Sequence, residues 1–176
     1  MNVILSQIED EIPRLRRYAR YLTRDIDQAD DLVQDCLTRA IAKIHTWQPG
    51  TNLRAWLFVI LRNAHISEVR RCIRMPFGTS TAEDDLRLVI SGGQEASLEL
   101  LEVREALDEL SMEHREVLHL VAVEGLKYEE AADVLGVPVG TIRSRLSRAR
   151  SALRARLETP RRAAQIAAWR RARAAA

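Results

Sequence analysis

The sequence is poor in aromatic residues, which fill 5% of its 176 positions, and it holds only seven glycines and five prolines. With 47% apolar residues, that shortage excludes a core built on large rings and favours helices packed through Leu, Ala and Ile. Cysteine is scarce too. Cys36 and Cys72 are the only two, too few for a disulfide framework, and both are expected to be buried free thiols. No apolar run reaches the roughly 18 residues that span a bilayer. The opening segment MNVILSQIEDEIP lacks a basic stretch followed by an apolar one, so it does not read as a secretory signal, and a cytoplasmic protein is expected.

Motifs of chemistry are missing as well. There is no GxxxxGK[ST] or GxGxxG phosphate loop, because Gly136 and Gly140 belong to a turn. His45, His65, His114 and His119 show no metal-ligand spacing with cysteine or with each other. No local Ser-His-Asp or Cys-His signature occurs. The expectation is a protein that is not an enzyme and has neither cofactor nor metal.

What is present is charge, unevenly placed. Residues 98–137 carry eleven acids against three Lys or Arg, and residues 138–176 carry eleven Arg against one acid. A net charge of +2 conceals this division. It points to a basic surface for a polyanion beside an acidic surface that faces something else.

The basic part begins in KYEEAADVLGVPVGTIRSRLSRARSALRARL, residues 127–157. A first helix is expected from Tyr128 to Leu135. Gly136 follows where a helix end wants positive φ, and Pro138 stands where a helix start tolerates its missing N–H. In the second helix Val139, Ile142, Leu146, Ala149, Leu153 and Leu157 recur at three and four. Arg143, Ser144, Ser147, Arg148 and Ser151 then fall on the opposite side, the layout of a helix-turn-helix whose second helix enters the major groove.

Upstream, residues 3–22 predict a helix with Ile4, Ile8, Ile12, Leu15, Ala19 and Leu22 inward, kinked at Pro13 or starting late at Arg14. Its run of Arg14, Arg16, Arg17, Arg20 and Arg24 is most simply a solvated face. A second helix is expected from Asp25 to Trp47, capped by Asp25 or Asp27. Ile26, Ala29, Leu32, Val33, Cys36, Leu37, Ala40, Ile41 and Ile44 would be its buried side. Asp31, Gln34, Asp35 and Thr38 would be an outer acidic and amide strip. After the turn Gln48-Pro49-Gly50, Thr51 or Asn52 caps a third helix. Leu53, Trp56, Leu57, Ile60, Leu61 and Ala64 form its core side, and Arg54, Arg62, Arg70, Arg71 and Arg74 project elsewhere. Asn63, His65 and Ser67 add to its polar second half, which reads either as a core helix with a wet end or as a second nucleic-acid surface.

Met75–Ser97 breaks every period and reads as a flexible acidic linker. Two amphipathic helices, Leu98–Leu110 and Glu113–Val123, with Ser111 as the N-cap between them, would cover the inside of the helix-turn-helix. The acids are expected on helix surfaces. The fold class is therefore all-α, with two helical domains and a C-terminal four-helix domain. The boundaries are 1–75, linker 76–97, 98–158, and a basic tail 159–176.

Several segments carry a family likeness. DDLVQDCLTRA (30–40), NLRAWLFVILRN (52–63) and LSMEHREVLHLVAVEGLKYEEAADVLGVPVGTIRSRLSRARSAL (110–153) resemble bacterial sigma factors of the extracytoplasmic-function group. WQPGTNLRAWLFVILRN (47–63) is similar to the alphaproteobacterial general-stress-response subgroup, with Trp47 in place of the usual Phe. The resemblance implies a factor that binds core RNA polymerase, through the clamp helices of its largest subunit and the flap of the second, and directs initiation at promoters. It implies Asp31, Gln34 and Asp35 as polymerase contacts. Asn63, at the end of the helix leading to the −10 recognition loop, would line the pocket for a flipped −10 base. Arg62, Arg70, Arg71 and Arg74 would hold the surrounding phosphates. Arg143, Ser144, Ser147 and Arg148 would read the −35 element, with Tyr128 and Glu129 near the phosphate backbone. Ser147 is smaller than the side chain some relatives carry there. An anti-sigma factor is an implied partner, and the linker acids would imitate a transcript. Two other readings stay open: a regulator that binds operator DNA directly, and a sigma mimic that titrates an anti-sigma factor.

Overall fold

The computed structural model describes residues 2–74 and 103–157. The linker reading, the start of the helix expected at Leu98 and the tail lie outside them. The described elements are α1 (Asn2–Thr23), α2 (Ile26–Ala42), a 3₁₀ turn (Ile44–Thr46), α3 (Leu53–Arg74), α4 (103–108), α5 (Met112–Leu118), a π turn (His119–Val123), α6 (Tyr128–Leu135) and α7 (Val139–Leu157). No strand occurs among the described residues. The chain is all-α, as its apolar periods predict, with two helical domains. By Cα proximity the described residues gather into two compact units. One holds the chain to Arg74 together with Glu129–Val137, and the other holds 103–128 and 138–157.

In the first unit α1, α2 and α3 pack against one another in all three pairings. α1 passes through Pro13 without starting late. Proline removes the bond to the carbonyl four residues earlier, that of Glu9, and both residues are exposed, so water can take its place. Asp25 caps α2, its Oδ1 accepting from the Gln28 N–H at 2.8 Å. Asn52 caps α3 by accepting from the N–H groups of Arg54 and Ala55. Arg54 donates from two guanidinium nitrogens to the Glu11 carboxylate, at 2.7 and 3.1 Å. Glu11 also receives Arg14 at 3.7 Å, so the start of α3 is tied to α1.

The core departs from the expected list in named places. Tyr18 and Phe58 are fully buried, with their rings stacked 4.9 Å apart, although neither belongs to the stripes read from the sequence. Ile26 and Ile41 are 62% and 54% exposed rather than inward. At about 100° per residue Ile41 lies about 120° from the middle of the stripe made by Ala29, Leu32, Val33, Cys36 and Ala40, and Ile26 sits in the first turn. The helix expected to reach Trp47 ends at Ala42, where the chain tightens into the 3₁₀ turn.

In the second unit α5 packs on α7. Ser111 caps α5 by accepting from the His114 N–H. Arg115 reaches back to α4, donating to the Asp108 carboxylate and to the carbonyls of Asp108 and Leu110. It thereby satisfies carbonyls that α4 leaves open at its end. α5 does not continue as one α-helix to Val123. It widens into the π turn, with the Glu124 N–H donating to the His119 carbonyl at 3.0 Å. Glu124 is fully buried, its Oε1 3.3 Å from His119 Nε2, which corrects the expectation that the acids lie on helix surfaces. The signal in the sequence was the acid's place inside the apolar run HLVAVEGL.

Cys36 is buried and Cys72 is exposed, so only one of the two thiols matches the buried reading. Cys36 Sγ donates to the Leu57 carbonyl at 3.6 Å. Burial first, and the Asp35 carboxylate second, push its thiol up from 9.0 to about 12, against a smaller opposing pull from Arg39. A raised acid pKa makes this contribution to stability complete below about 9 and lost as pH rises toward about 12. A thiol reagent at pH 8 is expected to modify Cys72 alone in the folded protein and both cysteines in denaturant. Phe58→Ala is expected to lower unfolding free energy by about 3–5 kcal/mol, measured by urea titration. A loss under 1 kcal/mol would contradict the stacked core.

Candidate nucleic-acid interface

Local chemistry sets the turn ahead of α7. Gly136 takes φ +66, and the Val137 N–H donates to the Ala132 carbonyl at 3.1 Å, closing α6 with the bond of a Schellman motif. The Pro138 carbonyl accepts from the Thr141 and Ile142 N–H groups. A proline at this start forfeits nothing, because the N–H it lacks would have had no intrahelical partner.

α7 then divides by face. Ile142, Leu146 and Ala149 are buried, while Arg143, Ser144, Ser147, Arg148 and Ser151 are all exposed. The outer face matches the reading from periodicity, while Val139, Leu153 and Leu157 of the expected inner stripe are only half-buried. The Ser144 hydroxyl donates back to the Thr141 carbonyl at 3.0 Å. The arginines differ in their partners. Arg145 meets Glu113 at 2.8 Å and Arg156 meets Glu109, so these two serve contacts within the unit. Arg143, Arg148 and Arg150 have no acidic partner among the described residues. Tyr128 is half-buried and Glu129 exposed.

A cavity of about 240 Å³ opens along α7, lined by Tyr128, Arg143, Leu146, Ser147, Arg150, Ser151 and Arg154. Small side chains at Ser147 and Ser151 leave this room. Sequence reasoning left Arg150 unassigned. Its spacing of seven from Arg143, two turns along one face, was the available signal.

The second basic surface is α3. Asn63, Ser67, Arg70 and Arg74 recur at three and four and make one exposed strip. Arg71 lies to one side of it and half-buried Arg62 to the other. The Ser67 hydroxyl donates to the Asn63 carbonyl and Arg74 Nε to the Arg70 carbonyl, so Arg74 folds back along its helix. Asn63 is not at a helix end beside a loop, because α3 continues unbroken to Arg74. Nor does it line the cavity of about 460 Å³ that opens between α1 and the 47–53 turn, whose walls include Asp10, Glu11, Trp47 and Asn52.

The acidic strip lies on α2. Asp31 and Gln34 are exposed. Asp35 is held by Arg39, which donates to both carboxylate oxygens at 2.9 and 2.8 Å. That i, i+4 pair leaves Asp31 as the carboxylate of the strip without a partner among the described residues.

A helix-turn-helix with unneutralised arginines on its outer face defines a nucleic-acid-binding class of protein. Comparison with known proteins narrows the class. A profile described as the Sigma2 domain of PhyR matches residues 8–62, and one described as Sigma-70, region 4 matches residues 100–153. The chain is 47% identical over 146 residues to the ECF RNA polymerase sigma factor EcfG of Rhodopseudomonas palustris (strain TIE-1), covering 83% of this chain and 80% of that protein. It is 38% identical over 144 residues to the ECF sigma factor SigC of Mycobacterium tuberculosis, covering 81% and 76%. The sigma factor RpoE of Bartonella quintana, solved in complex with the anti-sigma factor NepR, superposes with a TM-score of 0.71 at 37% identity, over 91% of this chain and 99% of that one. The chain belongs to the ECF sigma factors of RNA polymerase.

The division of arginines on α7 makes a distinction measurable. Arg145→Ala breaks a pair whose Glu113 partner is largely exposed, so its expected cost is under about 1 kcal/mol of stability. A larger fall in thermal unfolding temperature than Phe58→Ala produces would contradict the assignment of Arg145 to a surface pair.

Proposed function

We propose that this sigma factor binds core RNA polymerase and directs initiation in a stress response by reading −35 and −10 elements. Residues 98–158 act at the −35 element and residues 1–75 at the polymerase and the −10 element, with 76–97 as the connection. The observation that carries the reading is the exposed row Arg143, Ser144, Ser147 and Arg148 on α7, with both arginines left unpaired. Arginine meets guanine O6 and N7 with two parallel bonds, and a serine hydroxyl suits either donor or acceptor edges. Tyr128 and Glu129 open α6, whose first N–H groups face a passing phosphate.

On α3, Asn63 supplies an amide for the Watson–Crick edge of an extruded base, and Arg62, Arg70, Arg71 and Arg74 supply charge for the surrounding phosphates. On α2, Asp31 and Gln34 offer an acceptor and an amide to polymerase arginines, and Asp35 joins them by sharing or exchanging Arg39. The role is regulatory, no reaction is assigned to the chain, and its place of action is the cytoplasm, where polymerase and promoters are. An anti-sigma factor is the natural antagonist, given the complexes of RpoE with NepR and of CnrH with CnrY.

One observation favours a second reading. The profile matched by residues 8–62 is named for PhyR, and the complex of Bartonella quintana PhyR with NepR has PhyR described as an anti-anti-sigma factor. A mimic of this kind needs no base contact.

Arg143→Ala separates the two. For a promoter reader the variant is expected to lose about 1–3 kcal/mol of discrimination among −35 sequences, measured by competition between promoters in the presence of core polymerase. Unchanged discrimination would sink the assignment of α7 to the −35 element. Charge reversal at Asp31 is expected to weaken core-enzyme binding in a pull-down while leaving helicity by circular dichroism unchanged. Equal binding would remove Asp31 from the polymerase surface.

A further inference from the structure

We infer that the cavity beside Tyr128 is a phosphodiester subsite centred on Arg150, and that it extends the DNA footprint of α7 beyond its base-reading row. This rests on the promoter-reading function proposed above. Three arginines (Arg143, Arg150 and Arg154), Ser147, Ser151, Tyr128 and Leu146 line the cavity, and no acidic residue does. Arg145 and Arg156, on other faces of the same helix, are matched by Glu113 and Glu109. Arg150 has no such partner.

Geometry separates Arg150 from base reading. It lies about 20° around the helix from Arg143 but about 10 Å further along the axis. Ser144 and Arg148 sit about 100–140° around from Arg143 in the other rotational sense. A helix that presents Arg143, Ser144, Ser147 and Arg148 to base edges, a row centred about 70° around from Arg143, turns Arg150 about 90° from that centre, toward the flank of the groove where the backbone runs. Contacts there set position and affinity and carry no base information. The ligand is therefore a backbone phosphodiester.

The test compares wild type, Arg150→Ala and Arg150→Lys as full chains with core polymerase on promoter DNA, titrated with salt. Each neutralised phosphate contributes about 0.9 to the slope of log K against log salt. Arg150→Ala is expected to reduce the slope by about that amount and to weaken every −35 variant by the same factor. Arg150→Lys is expected to keep the slope, since an ammonium also neutralises a phosphate. An unchanged slope, or a loss confined to particular −35 bases, would overturn the proposal. If wild type forms no promoter complex with core polymerase, the function itself fails. The same variants with plain duplex DNA then still decide the subsite, a slope difference supporting it and equal slopes overturning it. In a last arm, inorganic phosphate is added at constant ionic strength. Competition seen with wild type and lost in Arg150→Ala would make this a free-phosphate site and overturn the backbone assignment.

Discussion

Burial of Ile142, Leu146 and Ala149 on one side of α7 is the constraint on which the rest of the reading depends. A helix has one rotational freedom about its axis, and three apolar side chains at four and three remove it. Once they face inward, Arg143, Ser144, Ser147 and Arg148 must face outward. The Schellman closure at Gly136 and the carbonyl of Pro138 fix where the helix begins, so axial position is set by backbone chemistry and rotation by packing. On the proposed reading, the backbone that carries these residues is ordered before DNA arrives, which lowers the entropic cost of binding.

Acids elsewhere sort the arginines. Glu113 and Glu109 occupy Arg145 and Arg156, Asp35 occupies Arg39, and Glu11 gathers Arg54 and Arg14. Surface pairs of this kind add little stability. Their larger consequence is to decide which positive charges stay available to a polyanion. The uneven charge along the chain thus has two uses in the second unit, internal pairing and an uncompensated basic face.

Much of this was legible in the sequence, for physical reasons. The bounds of α6 and α7, the caps at Asp25, Asn52 and Ser111, and the outer face of α7 follow from local chemistry: a glycine with positive φ, short polar caps, and apolar residues at three and four. The misses have a different origin. Tyr18 and Phe58 bury their rings against each other across elements, a pairing that no single helix period reveals. Ile41 fits an apolar composition but not the angle of the stripe it was assigned to. Glu124 is buried at a π turn, where the register of α5 shifts and a helical wheel no longer applies. Asn63 was expected at a helix end because its motif stops there, whereas the apolar face of α3 runs on through Ala64 and the helix continues to Arg74. The cavity beside Tyr128 depends on small side chains meeting in space, so spacing alone showed its arginines but not its room.

Run-off transcription with purified core polymerase tests the central claim most directly. Core enzyme with this chain is expected to produce a discrete transcript from a template bearing suitable −35 and −10 elements, and core enzyme alone is expected to produce none. A chain that binds core polymerase yet yields no transcript across a panel of −35 and −10 combinations would contradict the account.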